Sequence, residues 1–147
     1  MKDRKPKNVF IDGPISPDFI ANSIAKHQSK TTIGAHDIFL GQVRADKVNN
    51  NIISGIDYTA YQEMANAEFH KIREATFEKF DLTCMHIYHS LGLVKTGGIC
   101  LFVFVSSPGR KVAFRALEYV VEEIKAKVPV YGKEIFEDQS HQWKVNS

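Results

Sequence analysis

The sequence predicts an α+β fold with mostly antiparallel pairing. Three observations carry this prediction. Strand-type and helix-type stretches follow the order strand, helix, strand, strand, helix, strand, strand, helix, strand, which sets hairpins beside helices. Ile99–Ser106 (ICLFVFVS) is apolar throughout and reads as a central strand covered on both faces. Ser106–Glu134 holds the clearest helix, opened by a Ser-Pro pair and closed by Pro129. With 147 residues, 44% hydrophobic and 24% charged, the chain suits one globular domain, expected over 9–147 behind a flexible tail at 1–8.

In chain order, Val9–Ile11 predicts a short strand ended by Asp12-Gly13-Pro14. Ser16-Pro17-Asp18 predicts a helix start, with Ser16 as cap and Pro17 in the first turn, and the helix fades near His27–Lys30. Gly34–Arg44 reads as a strand leading into a loop, Ala45–Asn51, whose tip is Asn49-Asn50-Asn51. Ile52–Tyr61 is the next strand. A helix follows from about Gln62 to Phe80, with Met64, Ala67, Phe69, Ile72, Ala75, Thr76 and Phe77 on its apolar side. Leu82–Ser90 alternates as a strand, with His86 and His89 on opposite faces, and Leu91–Gly98 is expected to turn the chain. In the main helix Ser107 is the expected cap and Pro108 the first-turn residue. Ala113, Ala116, Leu117, Val120, Val121, Ile124 and Val128 form its apolar face, and Pro129 stops it. Val130–Phe136 predicts a last short strand, and Trp143 is expected to pack the tail down.

The net charge of +2 is too small to argue for nucleic acid. No stretch is apolar for long enough to span a membrane or to serve as a signal peptide. The two cysteines, Cys84 and Cys100, lie in separate apolar runs without zinc-ligand spacing, so reduced core thiols and a cytoplasmic location are expected, with no metal. A Ser-His-Asp arrangement and a nucleotide-binding glycine fingerprint are both missing. What stands out is a set of cations at element ends: Arg44, Arg110, Lys125 and Lys133. They suit an anionic substrate, and a lysine among apolar neighbours and other cations can act as acid, base or nucleophile. Arg110 and Lys125 share one edge of the apolar face of the main helix. They either point into a cleft or are solvated ends whose stems cover the core. Fifteen residues of helix separate them by roughly 22 Å, so one small ligand cannot touch both on the same helix, and a shared site would need two copies of the chain.

FLGQVR (39–44), DYTAYQEMA (57–65), HSLGLVKTGG (89–98), VSSPGRKVAFRALEYVVEEIKAKVP (105–129) and YGKEIFED (131–138) cover nearly the whole chain in order. They resemble the large, catalytic subunit of molybdopterin synthase, and the SSPGR…KAKVP block is the most specific. The resemblance implies an α/β hammerhead fold with antiparallel sheet. It implies a sulfurtransferase with no metal or redox cofactor. Its partner would be a small ubiquitin-like subunit with a thiocarboxylated C-terminal Gly-Gly, and two sulfurs would pass in turn from such tails to cyclic pyranopterin monophosphate to form the dithiolene of molybdopterin. The implied assembly is a heterotetramer around a homodimer of large subunits.

Residue by residue, the resemblance makes Lys125 the catalytic lysine, Arg44 and Arg110 ligands of the substrate's anionic groups, Phe39 a pocket aromatic and Glu134 a pocket acid. For Phe39 a plain core role, and for Glu134 a surface charge, stand as alternatives. Gly132 occupies the position of the family's second functional lysine, and Gly109 that of a histidine before Arg110. Three outcomes stay open at this point: a thinner site, compensation by the neighbouring Lys133, or a weakened relative that binds pterin or another anion as a dimer.

Overall fold

A computed structural model describes residues 6–145. Among them are eight strands and three helices. In order they are β1 (Phe10–Asp12), α1 (Pro17–His27), β2 (Ala35–Gln42), β3 (Lys47–Val48), β4 (Asn51–Ala60) and α2 (Gln62–Lys79). β5 (Cys84–Lys95), β6 (Ile99–Ser107), α3 (Arg110–Lys127), β7 (Val130–Phe136) and β8 (His141–Trp143) complete the set. The sheet order is β2-β6-β5-β4-β7-β8, antiparallel at every step. β1 adds to β5 in parallel, and β3 folds back on β4. The α+β, mostly antiparallel prediction is borne out.

β6 sits where an unbroken apolar run requires, between β2 and β5, and Leu101–Ser107 are all buried. Its two faces feed different cores. Leu101, Val103 and Val105 pack with Phe69 and Ile72 of α2 and Ala113, Val120 and Ile124 of α3. Phe102 and Phe104 face Ile15 and Ile20 under α1. A smaller cluster of Val43, Ile56, Tyr58, Val94 and Cys100 fills the region between β4 and β5. The Ser16 hydroxyl accepts the Phe19 N–H at 3.1 Å, as a Ser-Pro helix start should.

Several boundaries differ from the sequence expectation. Ser107 does not cap α3: it pairs with Ala35 as the last residue of β6, so the helix starts at Arg110 behind Gly109. Strand pairing consumes the backbone that the cap would have used. β5 continues through Ser90 to Lys95 instead of turning. Gly92, at φ +82°, takes a left-handed conformation that bends the strand from β6 onto β4. The loop at 45–51 contains β3, closed by Asn49 and Asn50 in left-handed conformations. Met64 lies off the buried stripe of α2 and is 62% exposed. Of the tail expected at 1–8, residues 1–5 lie outside the described residues, and Asn8 is held by the Asn66 amide at 3.2 Å.

Candidate active site

Val128 takes an extended conformation ahead of Pro129, ending α3 at Lys127. The chain then crosses back along β4 as β7, which sets Gly132 opposite Tyr58. Between the last turn of α3 and this strand pair lies a cleft of about 420 Å³. Lys125, Lys144, Tyr58, His89, Cys100, Gly132, Tyr131 and Trp143 are among its lining residues. The volume suits a bicyclic heterocycle or the end of a peptide.

The electrostatics centre on Lys125. It remains accessible, as a group that meets a ligand must, yet its pKa is lowered, first by burial in the cleft and then by the charge of Lys144. Cys100 and Glu122 oppose that shift. His89 is pushed down to about 4, chiefly by burial, with Lys125 adding to the fall and a bond to the Ser90 carbonyl opposing it. Its Nδ1–H donates to that carbonyl at 2.8 Å. Neutral His89 therefore keeps Nε2 as a lone pair. The Tyr58 hydroxyl is raised well above the usual phenol range, first by burial and then by Cys100. Tyr58 and His89 meet edge to face, with ring centroids 5.1 Å apart. The wall of the cleft thus holds neutral proton-bearing groups, and its charge comes from amines.

Of the residues singled out in the sequence, Lys125 lines this cleft and Arg44, Arg110, Phe39, Lys133 and Glu134 do not. Arg44 is 81% exposed and pairs with Asp46 through two bonds, 2.7 and 3.2 Å. Arg110 opens α3, at the end opposite Lys125. Phe39 packs against the main core. Glu134 accepts a bond from the Gln142 amide at 2.8 Å. Lys133 pairs in register with Asp57 and Trp143, and its ammonium stands 6.0 Å from the centre of the Trp143 ring. Alternation along β7 puts it on the face of the sheet opposite to Gly132 and Tyr58. Trp143 is 59% exposed and stands on the rim, so it does not pack the tail into a core. Sequence reasoning missed Lys144, whose only sequence signal is a basic residue after an aromatic in a polar tail.

A second cluster joins α1 to β5. His27 Nδ1–H donates to the Ser23 carbonyl at 2.7 Å, which leaves His27 Nε2 to accept from His86 Nε2–H at 2.8 Å. The Cys84 sulfur lies within 4.8 Å of both, and the Lys30 ammonium donates to it at 3.0 Å. His86 is pushed down to about 4 by burial, then by His27, Lys7, Arg73 and Lys30. The positive Lys7, Arg73 and Lys30 work against a bound metal cation, and the hydrogen-bonded imidazole pair ties the helix to the sheet.

Fold and cleft together define the class: an α+β domain with an amine-lined hollow beside the end of its last helix. Among such domains, this chain belongs to the MoaE protein family, whose model matches residues 12–127. It is 36% identical over 121 residues to a molybdopterin synthase catalytic subunit of Aspergillus fumigatus, covering 82% of this chain and 64% of that one. The human protein of the same name is 35% identical over 113 residues, covering 77% and 59%. The chain thus spans about three fifths of the length of these curated relatives. A crystal structure of molybdopterin synthase from Staphylococcus aureus matches at a TM-score of 0.79 and 31% identity, over 92% of this chain and 95% of that one. A complex of subunits 1 and 2 of molybdopterin-converting factor from Helicobacter pylori shares the fold, with a TM-score of 0.77 at 21% identity, over 91% and 87%. Among the described residues, no helix is long and apolar enough to cross a membrane.

Proposed function

We propose that this chain is the catalytic subunit of a molybdopterin synthase, moving sulfur from a thiocarboxylated small subunit to cyclic pyranopterin monophosphate. The observation that carries the reading is Lys125, presented by the family's most specific helix into a cleft of fitting size. The thiocarboxylate sulfur bonds to a pterin carbon as an oxygen leaves that carbon. Water then attacks the thioester carbonyl, leaving a carboxylate on the tail and a thiolate on the pterin, and a second thiocarboxylated tail repeats the exchange at the adjacent carbon to complete the dithiolene. Negative charge collects on the departing oxygen and on the carbonyl oxygen, and an ammonium held in a partly dehydrated hollow stabilises both and can lend a proton.

Tyr131, Trp143 and Tyr61 form an aromatic rim that continues outward from the cleft along Thr59 and Ala60. Such a rim suits the slender tail of a small protein partner. Arg44 and Arg110 take the substrate's anionic groups. Arg44 exchanges Asp46 for phosphate, a small cost for an exposed pair. The first turn of α3 holds no acidic residue, so Arg110 and the free N–H groups there attract an anion together. With roughly 22 Å of helix between them, Arg110 and Lys125 can serve one ligand only if Arg110 reaches the cleft of a second copy, which supports a homodimer within a heterotetramer. Two reduced, buried cysteines fit a cytoplasmic setting.

The test is reconstitution with thiocarboxylated small subunit and cyclic pyranopterin monophosphate, assayed for dithiolene pterin. Lys125→Ala should slow product formation by about 10²–10³-fold. An inactive wild type, or an undiminished Lys125→Ala, overturns the reading. Gly109 and Gly132 favour a second reading, a pterin-binding dimer without turnover; substrate binding with no product would select it.

A further inference from the structure

The register of β7 with β8 pairs Lys133 with Trp143, Glu134 with Gln142 and Ile135 with His141. One step further the Lys144 N–H donates to the Gly132 carbonyl at 2.7 Å, so the ladder continues past the end of β8. Lys144 and Gly132 are therefore cross-strand neighbours on the face that carries Tyr58. A Cβ on Gly132 would stand 3.6 Å from Lys144 Cδ, so the stem of Lys144 lies across the glycine. The side chain ends in the same cleft as Lys125.

We propose that Lys144 is a ligand-binding cation of the cleft, placed across Gly132 beside Lys125 so that the two amines share an incoming anion. Gly132 is the gap over which its stem reaches the site. The strand position that lacks a side chain is thus served by a lysine from its neighbour. Lys133, adjacent in sequence, faces the other way. Two like charges in one hollow are costly while it is empty and relax when an oxyanion or thiocarboxylate enters. Among the described residues, the titratable groups around Lys125 include Lys144, Cys100, Glu122, His89 and Tyr58. Lys127 also lines the cleft, but its ammonium is held by Glu123 at 2.7 Å.

The identity of the anion rests on the sulfur-transfer reading; the pairing of the amines does not. The test therefore has two arms on the full chain. In the first, the Lys125 side-chain carbon signal is followed by NMR against pH in wild type, Lys144→Gln and Lys144→Arg. Lys144→Gln should move the Lys125 midpoint upward, and Lys144→Arg should leave it depressed. In the second, single-turnover dithiolene formation should fall about tenfold in Lys144→Gln and be largely restored in Lys144→Arg. Both variants keep the main-chain bond to Gly132. An unmoved Lys125 titration in Lys144→Gln overturns the proposal. A shifted titration in a protein that makes no dithiolene pterin keeps the amine pair and removes the sulfur-transfer reading instead.

Discussion

Gly132 is the position where a single added methyl should be felt. A Cβ built there meets Ile56 Cγ2 at 2.8 Å and Tyr58 Cε1 at 3.3 Å. Ile56 is 4% exposed and Tyr58 8%, so neither can swing into solvent. Forcing a methyl into such packing costs about 1–3 kcal/mol. Replacing glycine also restricts the unfolded chain, which returns about 0.4–1 kcal/mol. The 2.8 Å contact puts the packing cost in its upper part, about 2–3 kcal/mol. Gly132→Ala should therefore lose about 1–2.6 kcal/mol net, which for a domain of this size lowers Tm by roughly 3–8 °C. Urea unfolding followed by circular dichroism measures the first number and calorimetry the second. The same logic opposes a lysine at this position as an improvement, because its stem would compete with Lys144 for one space. A Gly132→Ala protein as stable as wild type would refute the packing argument, and with it the account of why this strand carries no side chain here.

The remaining predictions concern pH and local structure. Folded His89 titrates near 4 against a usual 6.5, so between those values the unfolded chain binds a proton that the native one refuses. Its contribution is whole above about pH 6.5 and falls away toward pH 4, a loss of about 3 kcal/mol in urea-derived stability. His86 adds to the same slope, and a His89→Gln protein should show a flatter one. Ser16→Ala removes the acceptor for the Phe19 N–H and should cost about 1 kcal/mol in the same assay, with sulfur transfer unchanged.

The elements were legible where their cause is local. The Ser-Pro start of α1, Pro129 after α3 and three- and four-residue apolar spacing bound the helices within a few residues. The apolar run of β6 announces a strand buried on both faces. What stayed hidden depends on pairing. Ser107 has the chemistry of a cap, but β2 claims its backbone. Gly92 looks like a turn until β4 offers β5 a second partner. The cleft follows the same rule. Lys125 could be named because one helix carries it and a resemblance points to it. Lys144 could not, since its place follows from a β7–β8 register set by the Asp138–Ser140 turn, not from its own neighbours in sequence.

One break in the chain explains why this site sits where it does. Pro129 ends α3 and has no N–H to offer the helix, whose C-terminal end carries negative partial charge at the edge of the cleft. Two ammonium groups beside that helix end repel each other less than two in an apolar hollow would. The same proline sends the chain back across β4, which creates the strand that β8, and hence Lys144, pairs with. The helix end thus makes the charge pair tolerable and the returning strand makes it possible. An anion entering between the amines replaces a partial negative charge with a full one. The resting cleft is held ready for that exchange by backbone geometry, with Lys125 kept below its usual proton affinity until the ligand arrives.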